Sequence, residues 1–194
     1  MCGRYLTAMD VKEMEEICAI VQRIYGDENV NTGEIFPTNN APMFIAEENS
    51  ITTTLMTWGM PQYKSPGVII NARAETAPEK RTFSSALETR RCIIPSTGFF
   101  EWAKIPDIKK KDKFLFHLPD SQMLYMAGLY NIYEDGYPRF VVLTTAANNS
   151  MRDIHDRMPV ILHKHELHDW FHDSQITKDI LCRVPPELSK MKVG

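Results

Sequence analysis

An α+β fold dominated by β-structure is what this chain of 194 residues predicts, on three observations. Short apolar and β-branched runs outnumber helix-patterned segments, they follow one another at hairpin-like spacing, and turn signals such as Pro119-Asp120-Ser121 and Glu134-Asp135-Gly136 separate them. Such a succession favours antiparallel pairing.

The elements follow in order. Val11, Met14, Ile17, Val21 and Ile24 recur near helical spacing, so a helix is expected from an N-cap at Asp10 to about Gly26. Met43 to Ala46, Ile51 to Trp58 and Val68 to Ile70 read as strands, and a short helix is expected from about Thr82 to Arg90. Further strands are expected at Arg91 to Pro95, Phe99 to Ala103, Lys113 to Leu118, Met123 to Leu129, Phe140 to Thr145 and Pro159 to Leu162. His165 to His172 reads as a helical turn or two. The tail from Val184 to Gly194 carries Pro185-Pro186 and little periodicity, so it is expected to be irregular.

No linker or shift in composition divides the chain, so residues 1–194 are expected to form one domain. A formal net charge of −3 argues against holding nucleic acid by bulk electrostatics and requires any such site to be a local basic cleft. Cys2, Cys18, Cys92 and Cys182 are scattered with no C-x-x-C pair, as in a reducing cytoplasm. Neither a basic-then-apolar leader nor a run of about eighteen apolar residues occurs, so secretion and membrane insertion are not expected.

The residue with most chemical content is Cys2. Removal of Met1 would leave a cysteine with a free α-amine, and an amine and thiol on neighbouring carbons can trap an aldehyde, first as a Schiff base and then as a five-membered thiazolidine. Both groups titrate near neutrality, at about 8 and roughly 8.5. Read blandly, Cys2 is a small residue in an N-terminal strand. Three further clusters stand beside Cys2-Gly3-Arg4. Asn71 to Thr76 is a polar run emerging from apolar Val68-Ile69-Ile70, Gly98 to Trp102 sets Glu101 opposite its aromatic neighbours, and Ile154 to Pro159 brings a histidine and an arginine two residues apart. Taken singly, Asn71 and Glu75 could be turn and solvent residues, Glu101 a surface partner of Lys104, and His155 a structural histidine. Together they supply the parts of an aldehyde-trapping site.

MCGRY at the start, WGMP at Trp58 to Pro61, NARAET at Asn71 to Thr76, RCIIPSTGFFEW at Arg91 to Trp102, AGLY at Ala127 to Tyr130 and IHDRMPVIL at Ile154 to Leu162 resemble, in order, the motifs of the SOS-response-associated peptidase (SRAP) family. The resemblance spans nearly the whole chain and is to the compact bacterial members. It implies a β-rich α+β domain with a narrow basic groove, antiparallel strands in a barrel-like arrangement and flanking helices. It also implies covalent capture of abasic sites in single-stranded DNA by a thiazolidine on Cys2. Glu101 would then assist opening of the deoxyribose ring, Asn71 position the N-terminus and sugar, and His155 move protons. The backbone arginines map onto Arg4, Arg73 and Arg157, and base-wedging residues onto Trp58 and Pro37. The implied protein is a cytoplasmic monomer, associated with the nucleoid during repair, that needs no cofactor or metal; whether a strand-cleaving lyase side activity occurs stays open.

Two other readings stand beside it. An N-terminal-nucleophile cysteine peptidase or amidase would use the same Cys2. A metal-binding module could use His163, His165, His168 and His172, of which His168 and His172 have the i, i+4 spacing, although a solvated helix anchored by Leu167, Trp170 and Phe171 fits that segment better. Lys109-Lys110-Lys111 reads as a solvated hairpin tip.

Overall fold

Strands closing on themselves dominate the computed structural model, which describes residues 2–48, 50–63, 65–103 and 111–194. In chain order the elements are β1 (Tyr5–Thr7), α1 (Lys12–Tyr25), β2 (Gly33–Ile35), β3 (Asn40–Glu47), β4 (Ser50–Trp58), β5 (Met60–Pro61), β6 (Val68–Ile69), β7 (Asn71–Arg73), α2 (Ser84–Thr89), β8 (Arg91–Ser96), β9 (Gly98–Trp102), β10 (Lys113–His117), β11 (Leu124–Ile132), β12 (Pro138–Ala146), β13 (Arg157–Pro159), β14 (Ile161–Leu162), α3 (Leu167–His172), α4 (Ser174–Cys182) and β15 (Ser189–Lys192). Strands β12, β4, β3, β8 and β11 pair in that order, and β11 pairs again with β12, which closes the ring and removes its free edges. A second sheet, in the order β15-β10-β9-β1-β2, is antiparallel throughout. The α+β class and the barrel-like arrangement are thus as expected, but the pairing is not wholly antiparallel. Strand β12 runs parallel to β4 and, further along the same strand, parallel to β7.

Strands β8, β11 and β12 are buried on both faces over most of their length, which is why they read as apolar runs rather than as alternation. Ile93, Ala127, Leu129, Val141 and Leu143 pack with Met14, Ile17 and Cys18 of α1, Ala86 of α2 and Trp170, Ile180 and Leu181 of the C-terminal helices. Their neighbours Cys92, Ile94, Met126, Phe140 and Val142 pack instead with Cys2, Tyr5, Phe99 and Phe116 of the second sheet. The N-terminus is therefore part of a core, not an appended arm.

Three expectations are corrected, and one element is added. Helix α1 begins after Val11 without a side-chain cap, so Asp10 is not its N-cap; Glu13 and Glu15 in the first turn face the helix dipole instead. The predicted stop holds, because Gly26 takes φ 89°, open to glycine, and its N–H bonds Gln22 O. The C-terminal tail is not irregular throughout: β15 pairs with β10 from Phe114↔Lys192 to His117↔Ser189. Helix α4 was not expected at all, although Asp173 caps it by accepting from Gln175 N and Ile176 N. The asparagine-led run at Asn71 is itself a strand, β7. Met1, Lys104, Lys109 and Lys110 lie outside the described residues.

Candidate active site and nucleic-acid interface

Cys2, Gly3 and Arg4 continue the path of β1 alongside β9, since Phe100 N–H donates to Arg4 O at 2.9 Å and Tyr5 pairs with Phe99. This places Cys2 only 1% exposed, with its thiol donating to Arg4 O at 3.7 Å. Burial, and next the nearby Glu101 carboxylate, push the Cys2 thiol well above its ordinary value. Glu101, one residue past Phe100 on β9, is 4% exposed. Gly98 at the start of β9 has a packing reason: a Cβ there would stand 2.6 Å from Phe116 O, so any side chain would push β9 off β10 and move Glu101 with it.

Asn71 arrives from the barrel. Its Nδ2 donates to Cys2 O at 3.0 Å across 69 residues of sequence, while its Oδ1 is buried with no hydrogen-bond partner among the described residues. Trp58 sets this position. Its Nε1–H donates to Ile70 O at 3.0 Å, directly before Asn71, and its ring lies between Tyr5 at 5.2 Å and Phe140 at 6.2 Å. Trp58 is fully buried, so it offers no face to a nucleobase, and the wedge expected of it is corrected to a core anchor for β7.

Strand β12 lies between β7 and β13, pairing Thr144 with Arg73 on one side and with Pro159 on the other. His155 stands just before β13. Its Nδ1 is 3.0 Å from Arg157 N and 2.9 Å from Asp156 Oδ1, and a single ring nitrogen cannot both accept from the amide and donate to the carboxylate. The amide can only donate and is fixed by the backbone, whereas Asp156 is largely exposed, so Nδ1 accepts in the neutral ring and the proton sits on Nε2. Arg157 is gripped by Glu75 through two Nη–Oε contacts at 2.6 and 2.8 Å and also donates to Thr144 O. Chiefly through the Arg157 hydrogen bonds, the Glu75 carboxyl lies below the usual range. No side-chain hydrogen bond or ion pair holds the exposed Arg73 among the described residues.

Arg4 emerges on the other side of Cys2. Its guanidinium lies 4.1 Å over the Phe36 ring and 5.0 Å over that of Trp102, and Nη1 donates to Glu34 Oε2 at 3.0 Å. Lys113 reaches the other Glu34 oxygen at 2.5 Å and lies 4.0 Å over Phe100. Pro37 occupies the second position of a turn closed by Asn39 N–H to Phe36 O at 3.0 Å, with Thr38 at φ 76°. That is a type II turn with a β-branched residue where glycine is preferred. Pro37 is half-buried, and Phe36 beside it is the exposed aromatic. Sequence reasoning missed Phe36, Lys113 and Glu34; an aromatic directly before Pro37 was the available signal for the first.

A hollow of about 520 Å³ borders the Arg157 side of the site, lined by residues including Ala74, Glu75 and Thr145. Another of about 490 Å³ is lined by residues including Tyr25, Asn40, Thr54 and Tyr137, and none of Cys2, Asn71, Glu101 or His155 borders it. Around Cys2 the chemistry is packed rather than cavernous. Among the described residues no group of three or more His, Cys, Asp or Glu is placed to hold a metal ion. His168 and His172 stack at 4.3 Å, but both His172 nitrogens face backbone carbonyls, those of His168 at 2.9 Å and Glu48 at 3.3 Å. No helix among the described residues is long and apolar enough to cross a membrane.

The chain matches the family described as SOS response associated peptidase (SRAP) over residues 1–193. It is 34% identical over 191 residues to abasic site processing protein YoaM of Bacillus subtilis, covering 93% of this chain and 83% of that one. It is 29% identical over 177 residues to abasic site processing protein YedK of Escherichia coli, covering 88% and 79%. Among solved structures, a protein from Bacteroides thetaiotaomicron superposes with a TM-score of 0.79 at 22% identity, covering 100% of this chain and 92% of that one, which is a likeness of fold. With the match running from the buried N-terminal cysteine to the last strand, this chain belongs to the SRAP family.

Proposed function

We propose that this protein processes abasic sites in DNA, capturing the sugar aldehyde covalently on Cys2 in single-stranded DNA. Relatives that span most of this chain carry the name abasic site processing protein. The observation that carries the finer reading is the burial of Cys2 between Asn71, which holds its carbonyl, and Glu101, whose charge acts on its thiol.

The steps follow from that setting. Glu101 moves the proton that opens the closed deoxyribose hemiacetal to its aldehyde. The α-amine exposed by loss of Met1 adds to the aldehyde carbon, and water leaves to give the imine. The thiol sulfur then adds to the same carbon while its proton passes to the imine nitrogen, which closes the thiazolidine. Because burial and Glu101 keep the thiol in its S–H form, this order suits it better than attack as a free thiolate. That disfavours the cysteine peptidase reading, which needs the thiolate first. Asn71 fixes the N-terminal residue through Nδ2 and keeps Oδ1 as an acceptor for the amine or a sugar hydroxyl. His155, with its proton on Nε2, serves proton movement at the imine. Arg4, Arg73 and Arg157 meet phosphates, with Pro37 at the rim. The reading includes a monomer acting in the cytoplasm without a metal or organic cofactor.

The test mixes mature protein with a single-stranded abasic oligonucleotide on a denaturing gel. A heat-stable one-to-one adduct, absent with Cys2→Ala, is expected. An undiminished adduct from Cys2→Ala would overturn the assignment.

A further inference from the structure

We infer that the protein carries two backbone-phosphate subsites, one formed by Arg4 with Lys113 and one by Arg157, and that each is filled by the protein's own carboxylate, Glu34 or Glu75, until DNA displaces it. The inference rests on the DNA-binding reading above and adds to it a ligand, Lys113, and two built-in occupants.

Three observations carry it. The first is geometric. Glu34 binds Arg4 Nη1 at 3.0 Å with one oxygen and Lys113 Nζ at 2.5 Å with the other, and Glu75 spans Nη1 and Nη2 of Arg157 at 2.6 and 2.8 Å. Two oxygens set against two cationic donors is also how a phosphodiester presents itself to arginine. The second is position. In both arginine pairs the acid is the more exposed partner, 36% against 27% for Glu34 over Arg4 and 45% against 14% for Glu75 over Arg157. Each carboxylate is therefore reachable from solvent, Glu75 much more so than its arginine. The third is donor supply. Among the described residues Arg157 Nε is buried without a partner and Nη2 already serves Glu75 and Thr144 O, so the guanidinium cannot grip a phosphate with both Nη groups while Glu75 stays. Arg4 Nε is likewise buried without a partner among the described residues.

Binding is then an exchange of anions at two points, with unpaired Arg73 making first contact. For a chain of net charge −3, this masks part of the positive charge of both subsites, one carboxylate against Arg4 and Lys113 and one against Arg157, until a strand is aligned with both.

The experiment measures fluorescence anisotropy of a single-stranded oligonucleotide carrying a tetrahydrofuran abasic analogue, which has no aldehyde and so reports binding alone. Wild type, Glu34→Gln, Glu75→Gln and Lys113→Gln are titrated from low to moderate salt, with thermal melts confirming that each is folded. Glu34→Gln and Glu75→Gln are each expected to bind about two- to fivefold more tightly. Each should also steepen the log–log salt slope by up to about 0.7, the share of one phosphate contact on a single strand. Lys113→Gln is expected to bind more weakly with a shallower slope. Equal or weaker binding by both glutamine variants, with the slope unchanged, would overturn the exchange and make Glu34 and Glu75 structural braces. That failure is distinct from failure of the parent reading, which would show as no adduct between wild type and a true abasic oligonucleotide.

Discussion

Replacing Trp58 by phenylalanine separates a core anchor from a base wedge, because the two roles put the loss in different measurements. Trp58 is fully buried, and its Nε1–H donates to Ile70 O at 3.0 Å. That carbonyl also accepts Val142 N–H at 3.1 Å, so the variant removes a second bond and does not orphan the oxygen. The bond contributes about 1 kcal/mol net. The smaller ring leaves a void between Tyr5 and Phe140, which costs roughly 1 kcal/mol more. A total of about 2 kcal/mol predicts a fall in melting temperature of about 4–8 °C for a chain of this size. Urea denaturation and a thermal melt measure that loss, and anisotropy with single-stranded DNA measures binding in parallel. Looser positioning of Asn71 should also slow adduct formation at saturating DNA. Unchanged stability together with a large loss of DNA affinity would refute the anchor and restore the wedge.

Other outcomes follow from the same geometry. Glu101→Gln should crosslink slowly while binding DNA nearly as well, and a substrate presenting an already open aldehyde should recover the rate; equal slowing on both substrates would place Glu101 at a later step. Arg73→Ala should weaken binding and reduce the salt slope by about 0.7, measured by anisotropy, without removing the nucleophile. Gly98→Ala should cost roughly 1–3 kcal/mol in denaturant melts and impair adduct formation, since its Cβ would meet Phe116 O at 2.6 Å and shift the strand bearing Glu101. Stability should decline in alkali. Burial raises Cys18 from its ordinary 9.0 to about 11, and Cys2 and Cys92 are raised further, so the folded state keeps protons that the unfolded chain releases. The Cys18 contribution is complete below pH 9 and is lost as pH rises from there through about 11, while those of Cys2 and Cys92 go on falling above it, which urea midpoints from pH 9 upward would reveal.

Much of the fold was legible because its signals are local. The heptad-like spacing of Met14, Ile17 and Val21, the stop at Gly26 and the apolar runs that became β4, β8, β11 and β12 all state themselves within a few residues. Strand β15 was not legible. Ser189-Lys190-Met191-Lys192 buries little and is held by main-chain bonds to β10, which composition does not encode. Helix α4 has a local signal, Asp173 ahead of Ile176, Ile180 and Leu181, but it is only nine residues long and follows α3 directly.

For the site, the sequence by itself determined the chemical inventory. A thiol at Cys2, an amide at Asn71, a carboxylate at Glu101 and an imidazole at His155 are fixed by residue identity and by motif order. What only the tertiary structure decided is which of them meet and which charges are already spent. Asn71 reaches Cys2 O because β7 runs parallel to β12, a pairing between segments some seventy positions apart that no local period records. Trp58 points into the core and Phe36 outward because burial is settled by the sheets that close over a strand, not by the side chain's affinity for bases. Arg4 and Arg157 look alike with Arg73 in the sequence, yet folding sets Glu34 and Glu75 against the first two and, among the described residues, leaves the third unpaired. Ion pairing acts over a few ångströms in space, whereas sequence records only distance along the chain.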